Sequence, residues 1–263
     1  MPADQLIGSL FTWSTIMSFL YTLARVSCVF AFLPLGAFKS APEAAKIVLS
    51  LAMTAMLWPE WKVAIAGAPT MGRILSGVAE EAALGLAIGM ALAVVLEIFQ
   101  VAAQIVSLQA GFGFASTIDP NSGADSTVLL TLSQITAGLL FFATGADRVL
   151  VRALADSLRL CPPETFTIHR GWAEALVRFA STIFGSGLRL AAPVIALLLL
   201  ADGSLAVLGR IQSQIHLVSL TMPIKLGASM LLVASTLVFQ PRVFTGAMEN
   251  AVRLIEGMLR GSH

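Results

Sequence analysis

The sequence predicts an all-α integral membrane protein of about six long, kinked hydrophobic helices, and three observations carry that expectation. Of 263 residues, 57% are hydrophobic and only 12% charged, whereas soluble domains carry about a quarter charged residues. Mean hydropathy is +0.87. The apolar residues also fall in runs long enough to cross a bilayer, with no strand-like alternation between them. Sixteen Lys and Arg against 15 Asp and Glu leave a net charge of +1, which provides no basic field for nucleic acid. Nucleic-acid binding is thereby excluded.

The first run, Leu6 to Phe38, is broken only by Arg25. No Lys or Arg precedes Arg25, so this run reads as part of the mature protein rather than a secretory leader. Lys39 to Glu43 forms a turn with charges at the water boundary, and Ala44 to Val63 is the second run. Ile74 to Leu108 follows with Glu80 and Glu81 near its start and Glu97 inside. As one helix these residues span roughly 52 Å at ~1.5 Å per residue, against a hydrocarbon core of about 30 Å. The segment must tilt, bend near Gly85 and Gly89, or run on into protein contacts. Gly85 and Gly89 also form a GxxxG element suited to close helix contact, and Ser181 with Gly185 offers a second small-residue pair.

Gln109 to Asp125 reads QAGFGFASTIDPNSGAD, whose glycines, Pro120 and Asn121 make it a loop. Its glycines follow no strand and precede no P-loop lysine, so a nucleotide site has little support. Phe112 and Phe114 admit two readings, a flexible connector or a segment packed into a confined pore. Val128 to Ala146 is charge-free and about one span long. Beyond it come Asp147, Arg148, Arg152, Asp156 and Arg159, and then Cys161-Pro162-Pro163, which with the polar stretch to Arg170 marks a boundary.

The second part holds Ala173 to Val207, with Pro193 able to kink it, and Leu217 to Phe239, with Pro223 and Lys225 inside. Met248 to Arg260 is an amphipathic tail, with Val252, Ile255 and Leu259 on one face and Arg253, Glu256 and Arg260 at the charged positions. Between Arg73 and Arg148 no basic residue occurs, so the positive-inside rule keeps the Gln109 to Asp125 loop off the cytoplasmic side. Trp13, Trp58, Trp61 and Trp172 sit near segment ends, where interfacial anchors belong, although packing explains them nearly as well.

Arg25, Glu97, Arg189, Asp202, Arg210 and Lys225 are the charges inside apolar segments. Each costs about 2.5 to 3.5 kcal/mol at mid-bilayer on insertion scales. They must therefore face a partner, a polar channel or the interface. Ion pairing within or between subunits is one reading; a proton or ion relay through Glu97 and Asp202, as in a small-solute transporter, is the other. Cys28 and Cys161, and His169, His216 and His263, are too scattered for a disulfide framework or a metal site. No GxSxG elbow or HExxH helix occurs, so no catalytic residue and no cofactor are predicted.

Several stretches taken in order resemble the FliR family, the R/T-type subunits of the type III secretion export gate. They are Arg25 with Pro34 and APEAAKIVLSLAMT; Glu97 through Gln104 into QAGFGFASTIDP; GLLFFATGADRVLVRALADSL ending at Pro162; and LRLAAPVIALLLLADGSLAVLGR followed by Gln214 and MPIKLGASMLLV. The likeness covers nearly the whole chain. It implies a non-enzymatic subunit of a protein-conducting gate in the bacterial inner membrane, at the flagellar basal body. The implied partners are P-type and Q-type gate subunits, A-type and B-type export apparatus proteins, the lipid bilayer and unfolded flagellar proteins in transit. It further implies helices arranged as slanted hairpins, residues 1–165 similar to a P subunit and 166–263 similar to a Q subunit. The loop 109–125 would then be a plug that obstructs the closed pore, with Gly111, Phe112, Gly113, Phe114, Asp119 and Pro120 matching best. The chain departs from the family pattern at Asp147, where His is frequent, and at Ser213, where Pro is usual, which leaves the connection before Gln214 less stiff.

Overall fold

A computed structural model describes residues 13–32, 42–57, 70–112, 127–166, 170–211 and 217–260. These residues form helices with no strand among them. In chain order they are α1 (Trp13–Phe32), α2 (Glu43–Met56), α3 (Met71–Ala110), α4 (Thr127–Ala143), α5 (Ala146–Leu160), α6 (Arg170–Ala180), α7 (Thr182–Ile211), α8 (Leu217–Thr236) and α9 (Gln240–Arg260).

Among the described residues three apolar stretches are long enough to cross a membrane: α1, α3, and Gly171–Arg210, which runs through α6 and α7. Two more follow if each bent pair counts as one span. One is α4 with α5, bent by 66°, and the other is α8 with α9, bent by 61°. The second predicted run is represented by α2, of 14 residues; its continuation past Leu57 lies outside the described residues.

Local chemistry explains most of the ends. Pro42 precedes α2 with φ −54°, and Glu43 in the first turn complements the helix dipole. α3 runs unbroken for 40 residues, apolar on all faces, about 60 Å at ~1.5 Å per residue. It ends in a Schellman motif: the Phe112 amide donates to the Ser107 carbonyl at 3.1 Å, and the Gly111 amide donates to Leu108 at 3.2 Å. Gly111 holds φ +86° to close that turn, a conformation that glycine adopts without strain. Gly145, with φ +72°, supplies the corner between α4 and α5. Pro193 lies inside α7, which continues through it; the interruption falls instead at Ser181, before the helix begins. α9 starts earlier than the predicted tail, because Pro241 sits in its first turn, where a missing N–H costs nothing.

The chain folds into two compact units, each assembled from separate stretches. The first comprises the described residues of Met1–Val94, Phe141–Ala180 and Met248–His263. Its organising feature is a stripe on α3 at every fourth residue, Gly77, Glu81, Gly85 and Gly89, facing Tyr21, Arg25 and Val29 of α1. A Cβ added at Gly85 would lie 2.1 Å from the Arg25 carbonyl oxygen, and one at Gly89 would lie 2.9 Å from that of Val29. The predicted GxxxG contact is thus formed, backbone against backbone. α1 also packs on α2. Ala87, Leu176 and Met258 make a smaller cluster with Met90, Trp172 and Leu254.

The second unit comprises the described residues of Val95–Leu140 and Ser181–Ala247. Its core is Ala102, Val106 and Ala110 of α3, Leu129 of α4, and Ala191, Val194 and Leu198 of α7. α7 packs on α8 as a hairpin. Gly185 has open space where a Cβ would stand, whereas one at Gly187 would meet Val101 at 2.8 Å. The close approach on α7 is therefore at Gly187 rather than at the predicted Ser181–Gly185 pair.

Gly85→Ala should lower stability by about 1–3 kcal/mol, because the clashing atom is backbone and α1 must shift as a whole. Gly138→Ala, made where a Cβ meets nothing within 4 Å, should be neutral or slightly stabilising through helix propensity. Thermal unfolding of the two variants in one detergent checks the contrast.

Candidate functional site

Arg25 is fully buried, and its planar guanidinium spreads donors to three places. Nε donates to Glu81 Oε2 at 2.6 Å, Nη1 to Ser157 Oγ at 3.1 Å and Nη2 to the Cys161 carbonyl at 2.9 Å. Glu81 is equally buried, and its second oxygen accepts the Glu164 amide at 3.3 Å. Glu164 in turn accepts from Tyr21 Oη at 2.9 Å and from Arg73 Nη2 at 3.0 Å. It has φ +71°, a left-handed conformation costing on the order of 1–3 kcal/mol for a non-glycine residue, which these bonds offset. One network thereby ties α1, the start of α3, the end of α5 and the turn after Cys161.

Sequence reasoning singled out Arg25 but left Glu81 at a segment boundary, and did not mark Ser157, Glu164 or Tyr21 as its neighbours. A signal was present in the four-residue spacing. Gly77, Glu81, Gly85 and Gly89 share a face of α3, and Tyr21, Arg25 and Val29 share a face of α1.

In the second unit Asp202 on α7 accepts Lys225 Nζ of α8 at 2.9 Å on each of its oxygens, and Gln109 Nε2 of α3 donates to Oδ2 at 3.0 Å. Asp202 stands one helical turn beyond Leu198, so this polar tie closes one end of the apolar core. Glu97 belongs to a separate chain of bonds: Gln134 Nε2 of α4 donates to Gln100 Oε1 at 3.1 Å, and Gln100 Nε2 donates to Glu97 Oε1 at 2.9 Å. Arg189 and Arg210 are exposed on α7 and hold no ion pair among the described residues. Lys225 and Asp202 are brought together, therefore, while Glu97, Arg189 and Arg210 are not joined to them.

Of the six loop residues singled out, Gly111 and Phe112 are described, whereas Gly113, Phe114, Asp119 and Pro120 lie outside the described residues. Phe112 is half-buried and packs against the core cluster of the second unit. Neither Cys28 nor Cys161 is in a disulfide, and the Cys161 thiol donates to the Leu259 carbonyl at 3.7 Å. Among the described residues no group of His, Cys, Asp and Glu could hold a metal ion.

The long α3, the charges paired inside apolar helices and the largely uncovered α7 define a multi-helix protein with helices long and apolar enough to cross a membrane. Only 17% of the most apolar window of Gly171–Arg210 is buried, against 67% in α3. Over residues 16–251 the chain matches the family described as bacterial export proteins, family 1. It belongs to that family, as a FliR-type subunit of a type III secretion export apparatus of the flagellar kind. It is 26% identical over 218 residues to the flagellar biosynthetic protein FliR of Escherichia coli K12, covering 82% of this chain and 83% of that one. It is 28% identical over 214 residues to the surface presentation of antigens protein SpaR of Salmonella typhimurium, covering 80% of this chain and 78% of that one. FliR of Caulobacter vibrioides is 26% identical over 211 residues, covering 79% and 84%.

Arg25→Met should cost about 3–5 kcal/mol, because it leaves the Glu81 carboxylate buried without its counter-charge. The double variant Arg25→Met with Glu81→Met should recover a large part of that loss. Melting temperatures of the solubilised proteins, placed in a double-mutant cycle, measure the coupling.

Proposed function

We propose that the chain is a non-enzymatic subunit of the gate itself, placed in the bacterial inner membrane at the flagellar basal body. There it is assembled with P-type and Q-type subunits, and with A-type and B-type export components in reach. Residues 1–165 take the place of a P subunit and 166–263 that of a Q-type hairpin. The loop 109–125, with Gly111, Phe112, Gly113, Phe114, Asp119 and Pro120, obstructs the pore until unfolded flagellar proteins pass.

The observation that carries this reading is the surface of α7. Phe184, Leu188, Leu197, Leu200, Val207 and Leu208 are all exposed, and the helix also carries the exposed Arg189 and Arg210. Lipid suits the leucines but not two arginines; neighbouring subunits with matching groups suit both. The same reasoning gives Arg189 and Arg210 intersubunit roles, while Arg25, Asp202 and Lys225 are satisfied within the chain. A solute relay through Glu97 and Asp202 gains no support from the geometry, because each carboxylate is engaged by different neighbours.

Removing residues 113–125 from the assembled apparatus should leave co-purification with the P-type and Q-type subunits intact and make the inner membrane permeable to ions and small dyes. An assembled, ion-tight gate lacking these residues would sink the plug assignment.

A further inference from the structure

Lys225 alone neutralises Asp202, since its ammonium lies 2.9 Å from both carboxylate oxygens. The bond from Gln109 is not needed for charge balance. It joins residues 93 positions apart, and it reaches the last turn of α3, immediately before the chain changes direction. Gly111 and Phe112 then complete the Schellman turn on the carbonyls of Ser107 and Leu108. Phe112 settles against a cluster that includes Val194 and Leu198, the residues preceding Asp202 on α7. The direction in which Phe112 leaves α3 thus has two determinants: the backbone cap, and a side-chain tie that fastens the cap's own turn to the α7–α8 hairpin. The cap is local to α3, whereas the tie refers the turn to α7 and α8.

We propose that Asp202 is a positioning residue. With Lys225 as its counter-ion it grips Gln109 and thereby fixes the Gly111–Phe112 turn against α7. Its bearing on export rests on the reading of Phe112 as part of the pore seal, while its bearing on the placement of Phe112 does not. A merely structural Asp202–Lys225 pair would leave Gln109 indifferent, so Gln109→Leu, which keeps the ion pair, separates the two roles.

The test uses the assembled apparatus in membrane vesicles, with Phe112→Cys as the reporter in a background of Cys28→Ala and Cys161→Ala. The rate of modification by a water-soluble maleimide is the readout. Removing a hydrogen bond to a charged acceptor should raise that rate about tenfold in Gln109→Leu and by more in Asp202→Ala. The exchanged pair, Asp202→Lys with Lys225→Asp, should return it near the parent rate, because the Gln109 amide offers an acceptor as well as a donor. An unchanged rate in Gln109→Leu overturns the proposal, even if Asp202→Ala fails to accumulate. Ion leakage, measured on vesicles that keep Phe112 and carry Gln109→Leu alone, keeps the two readings apart. Faster labelling without leakage upholds the tie and removes Phe112 from the seal; faster labelling with leakage upholds both.

Discussion

The first unit depends on bringing the backbone of α1 close enough to α3 for a short guanidinium-carboxylate contact to form where neither group meets water. Glycine at positions 77, 85 and 89 provides the room, and Glu81 occupies the intervening position of the same stripe. The pair is not by itself a source of great stability, since an apolar pair of equal volume would often do as well. Its effect is to specify. A single register of α1 along α3 satisfies Arg25, Ser157, the Cys161 carbonyl and Glu81 together, and sliding by one residue would strand a buried charge. Glu164 extends that specificity to the turn after α5, where the network outweighs an unfavourable backbone angle.

The second unit solves a similar problem with less burial. Asp202 and Lys225 are partly exposed and lie on adjacent helices of a hairpin, and their contact with Gln109 places a polar junction where the apolar core ends. Much of α7 has little to cover it. Both units leave large apolar side chains uncovered, among them Ile47, Val48 and Met56 on α2 of the first and Leu199, Leu200 and Val207 on α7 of the second.

The helical class, the long third segment and its end at Gly111 follow directly from apolar run length and from the placement of Gly and Pro. Those signals depend on the chain alone. The bend at Gly145 was hidden because a charge-free run continues through it, and only the positive φ reveals the corner. Pro193 does not end α7, which runs on through it. Among the charges, Arg25 was conspicuous because it interrupts an apolar run. Glu81 was not, because it sits beside Glu80 near a segment start and becomes internal only when α3 proves to extend back to Met71. Pairings such as Asp202 with Lys225 join residues on different helices, and one sequence contains no term that selects among several candidate partners. The role of the loop rests on resemblance, since packing rules alone leave Phe112 with two readings.

The uncovered flank of α7 also has a bearing on how the cell must handle this polypeptide. Its leucines are at ease in lipid, but the exposed Arg189 and Arg210 are costly there, so a copy waiting for incorporation is a hazard. Abundance would then be governed by the supply of companions rather than by the rate of translation, with surplus copies clumping or falling to proteolysis. Stoichiometry in the finished machine would thus be enforced by the intolerance of orphans, without a dedicated counting device.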